Sequence, residues 1–216
     1  MRREGVQPMR KGITAGVIAI LIGGCAYQTS VDVSPAYDVY SSYTDPVSGR
    51  WAVFVDADEL DGHRARYGGA GCAGYNYPLD VSVAFSQSAL KTLENVFENV
   101  ELVGAPLTAD QLAREGFSGL VILRGEDLDA ELQEMVGFWS SDTRAEVDLT
   151  VSVTVDGPAG RIFGTTVSED GKSTSATGLL CGGGADAVGQ ASADAVENTL
   201  ARLAERISNA PRLRGT

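Results

Sequence analysis

The clearest hydrophobic pattern in the chain is a strict alternation between residues 145 and 156. Apolar residues occupy every second position, and Glu, Asp, Ser or Thr occupies the positions between them. Because side chains alternate across a strand, this pattern predicts a long strand with one dry face, as in an antiparallel sheet packed on one side. Its wet face is a candidate contact surface made of Glu146, Asp148, Thr150, Ser152 and Thr154. A Gly/Pro turn at 156–160 and a strand at 161–168 complete a predicted hairpin.

Four other segments are interpreted as strands. Residues 50–56 and 119–123 are apolar runs with β-branched side chains, which is typical of buried strands, and residues 100–103 are interpreted as a short strand. The first of these is expected to lie centrally in the sheet. Residues 172–180 are rich in Ser and Thr and are interpreted as an additional edge strand.

The segment between residues 124 and 141 shows no readable period. Its one conspicuous feature is the adjacent pair Phe138 and Trp139. Neighbouring side chains on a strand point to opposite faces, so one of the two is a candidate contact residue.

Two long helices are predicted, with a short one between them. The first follows Pro78, takes Asp80 as its N-cap, and carries apolar residues at helical spacing from Ala89 to Val100. The short helix opens at Thr108, and the last runs from Ala185 to about Asn209 with small residues in its first half. This order predicts an α+β fold: a largely antiparallel or mixed sheet, two long helices packed on one face, and a wet outer face.

The amino-terminal segment has the pattern of a secretion signal. Four basic residues precede an apolar run at 13–22, and the run is followed by Gly23, Gly24 and Cys25. A membrane-spanning helix needs about 20 predominantly apolar residues, and this run is shorter. The segment is therefore interpreted as a cleaved signal rather than as a membrane span.

The sequence Ile22-Gly23-Gly24-Cys25 resembles the lipobox of bacterial lipoproteins. The resemblance implies cleavage before Cys25, a diacylglycerol on its thiol and an added fatty acid such as palmitate. Ala26 is not the aspartate that marks inner-membrane retention in this class, so the periplasmic face of the outer membrane is expected. The predicted organisation is a signal peptide (1–24), a lipidated flexible tether (25–48), one periplasmic domain (49–210) and a short tail (211–216).

The charge of the chain narrows the choice of partners. The net charge is −12, and removal of residues 1–24 takes away four basic residues and one acidic residue, which leaves −15. Such a surface repels nucleic acid and anionic lipid headgroups, so the sequence predicts no nucleic-acid partner. The expected contacts are the outer membrane through the lipid on Cys25, and an envelope protein.

The remaining cysteines predict a disulfide. With Cys25 acylated in an oxidising compartment, Cys72 and Cys181 are expected to pair, and two free thiols are the alternative. No metal or other cofactor is predicted, because two cysteines and one histidine do not supply the usual zinc ligands. The Gly-rich loop at 67–77 lacks the phosphate-loop spacing. The glycines at 182–184 favour close packing over an anion site.

The order of elements over residues 50–209 resembles the periplasmic domains of LpoB, CsgG and the YajG-like group. The resemblance rests on the Pro78-Leu79 helix start, the Val96-Phe97 stretch and the Gly-rich start of the last helix. It implies a role in an envelope assembly and carries no functional residue across.

The sequence contains few residues in arrangements that support catalysis or metal binding. The single histidine, His63, lies in a charged loop, the GxSxG motif of hydrolases is absent from the sequence, and Leu60 replaces a ligand in the calcium-loop-like segment 56–62. The sequence therefore predicts a non-catalytic accessory or interaction module. The alternative is a module that binds a small ligand or lipid between its helices and its sheet.

Overall fold

The computed structural model describes residues 41–215, apart from residues 70, 73, 138, 139, 179 and 180. The predictions for the signal peptide, for Cys25 and for the aromatic pair Phe138 and Trp139 lie outside the described residues.

The described chain forms a mixed sheet flanked by helices. Its strands are β1 (Val47–Asp56), β2 (His63–Arg64), β3 (Arg66–Gly68), β4 (Pro78–Leu79), β5 (Phe97–Leu102), β6 (Gly119–Val136), β7 (Ser141–Gly157) and β8 (Gly160–Ala176). The main sheet has the order β5-β1-β6-β7-β8, with β3 beside the far half of β6, and β2 pairs with β4 separately. The long strands β6, β7 and β8 are antiparallel, whereas β1 is parallel to β5 and β6.

The long strand β6 covers most of the segment that showed no period. Its register with β7 shifts between Gly125 and Asp127. Before this bulge Val121 and Leu123 face the main core, and after it Leu128 does. The extra residue switches the side-chain parity, which is why no single alternation is visible in the sequence.

The predicted hairpin of β7 and β8 is present. Odd-numbered residues of β7 from Thr143 to Val155 are buried, and the even-numbered ones point away from the core. The segment that was interpreted as a separate edge strand from residue 172 is instead the continuation of β8 to Ala176.

Helix α1 (Ser82–Glu94) is shorter than its apolar spacing suggested. Asp80 does accept a hydrogen bond, from the Ser82 backbone N–H at 2.9 Å, but it precedes the N-cap position, Val81. Val96 and Phe97 lie beyond the helix and still reach the main core. The apolar spacing therefore continues past the true end of the helix, because residues of the following turn and strand also face the core.

Helix α2 (Ala109–Glu115) begins with the capping box of Thr108 and Gln111. It packs on the face opposite α1 and α3, where Ala52, Leu112, Phe117 and Leu120 form a second, smaller core. The expectation of a wholly wet outer face is therefore wrong at this end of the sheet.

Helix α3 (Gly183–Ser208) packs closely against β8 and the loop before it. A Cβ on Gly171 would lie 2.0 Å from the Ala191 carbonyl oxygen, and one on Gly183 would lie 1.8 Å from that of Ala176. These glycines permit close packing, in agreement with the interpretation of residues 182–184.

The domain extends slightly beyond the boundaries expected from sequence. Val47 is buried at the start of β1, and the Ser42 backbone N–H donates to Asn209 Oδ1 at 2.7 Å. At the other end, residues 211–214 form a 3₁₀ turn, and Arg214 donates to the Asp45 carbonyl oxygen at 2.8 Å. Part of the predicted tether and most of the predicted tail thus fold together.

A disulfide joins Cys72 to Cys181, with their Cα atoms 5.9 Å apart. Cys72 lies in the loop between β3 and β4, and Cys181 lies directly before α3. The structure therefore contains the pairing expected from sequence, and the bridge ties this loop to the start of α3.

Candidate docking groove

An open groove lies between α1 and the carboxyl ends of β1 and β5. It consists of two adjoining cavities of about 580 Å³ and about 320 Å³, which share Val55, Ser86 and Gln87. The larger cavity has a polar rim that includes Asp58 and Asp61. The smaller one is mainly apolar, and its other lining residues are Phe54, Leu90, Leu102, Val103 and Gly104.

The sheet topology creates this groove. Strands β1 and β5 are parallel, with Val53 opposite Leu102, so both end at the same side of the sheet. After that point β1 leads into a 3₁₀ turn at Asp58–Leu60, and β5 leads into the loop before α2. Crevices at the carboxyl ends of parallel strands are common binding places because the chains diverge there.

Two exposed apolar side chains flank the groove. Val83 on α1 is 63% exposed, and Leu102 at the end of β5 is 56% exposed. They are two of only five large apolar residues that are exposed in the described part of the chain. Because exposed apolar surface is typical of interaction sites, these two side chains make the groove a candidate binding site.

The rim above this apolar floor is acidic. Asp58 and Asp61 are exposed and line the larger cavity. Among the described residues neither takes part in a salt bridge, whereas the nearby Asp56 is paired with Arg124 at 3.0 Å. The rim thus offers two uncompensated carboxylates to a cation.

The only histidine lies beside this region without forming a reactive group with it. His63 Nε2 donates to the Glu59 carbonyl oxygen at 2.6 Å. Within residues 41–215 as described, no group of three or more His, Cys, Asp or Glu residues could hold a metal ion.

The polar face predicted as a contact surface has a different character. Glu146, Asp148, Thr150, Ser152 and Thr154 do point away from the core. Lys172 bridges Glu146 at 3.2 Å and Asp170 at 2.9 Å, and Thr150 donates to Ser168 Oγ at 3.0 Å. Many polar groups of this face are therefore paired with one another.

Asp148 is the exception on that face. It lies directly between Asp129 of β6 and Asp170 of β8. Burial raises the pKa of Asp148, and the charges of Glu146, Asp170 and Asp129 raise it further. A row of like charges across three strands is unfavourable, and it does not by itself form a site.

Sequence reasoning missed the groove. Leu102 belongs to the predicted short strand at 100–103, and nothing in the sequence singles out Val83. The one available signal is that the predicted strands at 50–56 and 100–103 are each followed by polar or Gly-containing loops. That signal does not show that the two strands end side by side.

No helix within the described residues is both long enough and apolar enough to cross a membrane.

No family model matches the sequence, and no curated protein matches it. Among solved structures, a DUF330 family protein from Xanthomonas campestris is similar over 88% of this chain and 96% of its own, with 11% identity and a TM-score of 0.47.

Two further structures show weaker likeness. A neuraminyllactose-binding hemagglutinin homolog from Helicobacter pylori is similar over 82% of this chain and 91% of its own, with 11% identity and a TM-score of 0.45. A minor lipoprotein from Acinetobacter baumannii is similar over 74% and 91%, with 12% identity and a TM-score of 0.36. Scores below 0.5 at such identities establish neither a shared fold nor a shared function.

Proposed function

We propose that this chain is a non-catalytic accessory module of a cell-envelope assembly, which docks a segment of a partner protein in the groove between α1, β1 and β5. The observation that carries the proposal is the combination of exposed Val83 and Leu102 with an apolar floor. When a partner covers apolar side chains that are exposed to water at the mouth of a crevice, the free energy of the complex is lowered.

The chemistry of the groove defines the partner segment. The apolar cavity accepts one or two aliphatic or aromatic side chains, and the Asp58 and Asp61 carboxylates favour Lys or Arg beside them. The proposed ligand is therefore a protein segment with apolar residues flanked by basic ones.

The anchor is the second part of the proposal. Cys25 carries the lipid that holds the module at the periplasmic face of the outer membrane, as in the lipoproteins that its lipobox resembles. Anchoring supports docking because it raises the concentration of the domain near membrane-bound partners. Labelling with palmitate tests this part: the wild-type chain is expected to take up label, and Cys25→Ser is expected to lose it. Unchanged labelling of Cys25→Ser would contradict lipidation at this residue.

A pair of substitutions tests the groove. Leu102→Glu places a charge on the apolar mouth and is expected to abolish recovery of the partner after crosslinking in intact envelope. Val136→Glu is the matched control, because Val136 is an exposed apolar residue at the distant end of β6. Equal recovery with both variants would contradict docking in the groove.

A small apolar ligand is the competing occupant. The cavity of about 320 Å³ is large enough for part of an acyl chain, and Phe54, Leu90 and Val103 line it. Native mass spectrometry of the full chain, purified in mild detergent, distinguishes the two. A stoichiometric small molecule that is lost in Leu102→Glu, together with no captured protein, would favour the small-ligand module.

A further inference from the structure

The end of the last helix and the residues after it are locally basic, although residues 183–216 as a whole carry four acidic and four basic residues. Residues 198–216 contain four arginines and one glutamate, although the whole protein has a net charge of −12. The arginines are Arg202, Arg206, Arg212 and Arg214. Arginine is therefore locally in excess at this end of an acidic chain.

Two of these arginines line a cavity of about 520 Å³ at the end of α3. Arg206 and Arg212 form its basic side, and Ile162 and Phe163 of β8 form its apolar side. Asn209, which binds the Ser42 backbone, also lines it. A basic and an apolar wall thus meet at the point where the described chain begins.

The two arginines differ from their neighbours in what they contact. Arg202 is paired with Glu169 at 3.2 Å and with Glu205 at 3.0 Å. Arg206 is held by neutral groups instead, because it donates to Thr165 Oγ1 at 2.7 Å and to the Thr166 carbonyl oxygen at 3.1 Å. Arg212 has no ion pair within the described residues, so the charge in this cavity is not neutralised by a carboxylate of the described chain.

The position of the cavity relates it to the membrane. Residues 26–40 separate Cys25 from the described chain, which begins at Ser41 beside Asn209. The 15 residues of this segment span at most about 50–55 Å when fully extended. If Cys25 is lipidated, which rests on the proposed function, the end of α3 lies within about that distance of the bilayer surface.

We propose that this cavity binds the phosphate of an anionic phospholipid headgroup, so that the end of α3 is the membrane-facing surface of the domain. A guanidinium group matches a phosphate with two parallel hydrogen bonds, and two guanidinium groups in one cavity favour it further. Ile162 and Phe163 provide an apolar neighbour for the glycerol and upper acyl region. The docking groove lies at the other edge of the sheet, beside β5, and stays available.

The test measures headgroup binding without the anchor. The full chain carrying Cys25→Ser is kept in a neutral detergent and titrated with short-chain phosphatidylglycerol, short-chain phosphatidylcholine or inorganic phosphate. Hydrogen exchange of peptides covering residues 160–166 and 205–215 reports occupancy of the cavity. Since no lipid on Cys25 is needed, failure here is distinguishable from failure of lipidation or of docking in the groove.

The proposal expects phosphatidylglycerol to protect both peptides at concentrations at least about tenfold lower than phosphatidylcholine requires. Arg206→Gln with Arg212→Gln is expected to remove that preference. Arg144→Gln is the matched control, because Arg144 is exposed on β7 away from the cavity. Equal protection by the two lipids, an equal loss in Arg144→Gln, or protection by inorganic phosphate as strong as that by phosphatidylglycerol would overturn the proposal.

Discussion

The two edges of the main sheet differ in how they are covered. Strand β8 forms a long edge, and α3 lies along it: Asn198 donates to the Asp170 carbonyl oxygen at 3.0 Å, and Arg206 to that of Thr166 at 3.1 Å. Strand β5 forms the other edge and is only six residues long. Within the described chain no strand or helix pairs with its outer side, and it ends at the docking groove.

The difference shows which edge of the sheet has its backbone groups covered and which edge is left exposed. A long edge with exposed backbone groups invites pairing with other chains, and α3 satisfies two of its carbonyl groups. The short edge presents charged Glu98 and Glu101 along its length and exposed Leu102 only at its end. The exposed apolar surface of this edge is thus confined to the end of β5, where the groove begins.

The disulfide ties the loop between β3 and β4 to the start of α3, so its removal should have the largest effect. It closes a loop with a sequence separation of 109 residues. Cys72→Ala with Cys181→Ala is expected to lower the free energy of unfolding by about 4–5 kcal/mol, because the unfolded chain regains entropy. Urea unfolding measures the loss. A reducing agent should destabilise the wild type but not the double variant. Equal urea midpoints for the oxidised wild type and the double variant would refute the expectation.

The next largest effect is expected at the closest approach of α3 to β8. In Gly171→Ala the new Cβ would lie 2.0 Å from the Ala191 carbonyl oxygen and 2.5 Å from the Ala195 nitrogen, so the helix must move. Overpacking of this kind costs about 3 kcal/mol. In the control Gly164→Ala, on the same strand, the nearest atom is 3.7 Å away. Thermal unfolding that ranks both variants alike would show that the close contact is unimportant.

A smaller loss is expected when one edge contact is removed. Asn198→Ala leaves the Asp170 carbonyl oxygen to water and should cost roughly 1 kcal/mol. Gln190→Ala is the control on the same helix, because its partner is Asp194 rather than a residue of β8. Hydrogen exchange of β8 should rise in Asn198→Ala alone. Unchanged exchange there would mean that the edge does not depend on this hydrogen bond.

The smallest effect concerns the polar face between the two edges. Because the pKa of Asp148 is raised in the folded protein, the folded state holds this proton more tightly, and the free energy of unfolding falls as pH rises through both pKa values. Asp148→Asn is therefore expected to stabilise the protein at pH 7, by roughly 0.2–1 kcal/mol, with solvent screening favouring the low end.

The pH dependence checks this explanation. The gain from Asp148→Asn should vanish below about pH 3, where the carboxyl group is protonated in both states. Asp127→Asn serves as a control, because Asp127 faces Thr150 rather than an acidic residue. A stabilisation that is equal in the two variants, or independent of pH, would contradict the role of the like-charged row.

The fold could be predicted from sequence where local patterns agree with the tertiary structure. The alternation at 145–156 and the Thr108 cap are local signals, and the structure has a strand and a helix there. Strand β6 was mostly missed because the shift after Gly125 changes its parity in mid-strand. The end of α1 was misplaced because Val96 and Phe97 are buried for tertiary reasons.

The candidate sites differ in the same way. The pairing of Cys72 with Cys181 follows from the count of cysteines, and the structure contains it. The groove does not follow from any local pattern, because Leu102 is exposed only as a result of where β1 and β5 end together. Lipidation of Cys25 stays a prediction.

Site-specific photocrosslinking in the intact envelope tests whether a partner docks in the groove. A photoreactive residue is placed at Leu102 in the groove and, in a separate variant, at Thr150 on the polar face. We expect capture from Leu102 alone, and the captured segment should have apolar residues flanked by Lys or Arg. The substitutions Asp58→Lys and Asp61→Lys should abolish that capture. Capture of such a segment from Thr150 but not from Leu102 would contradict docking in the groove.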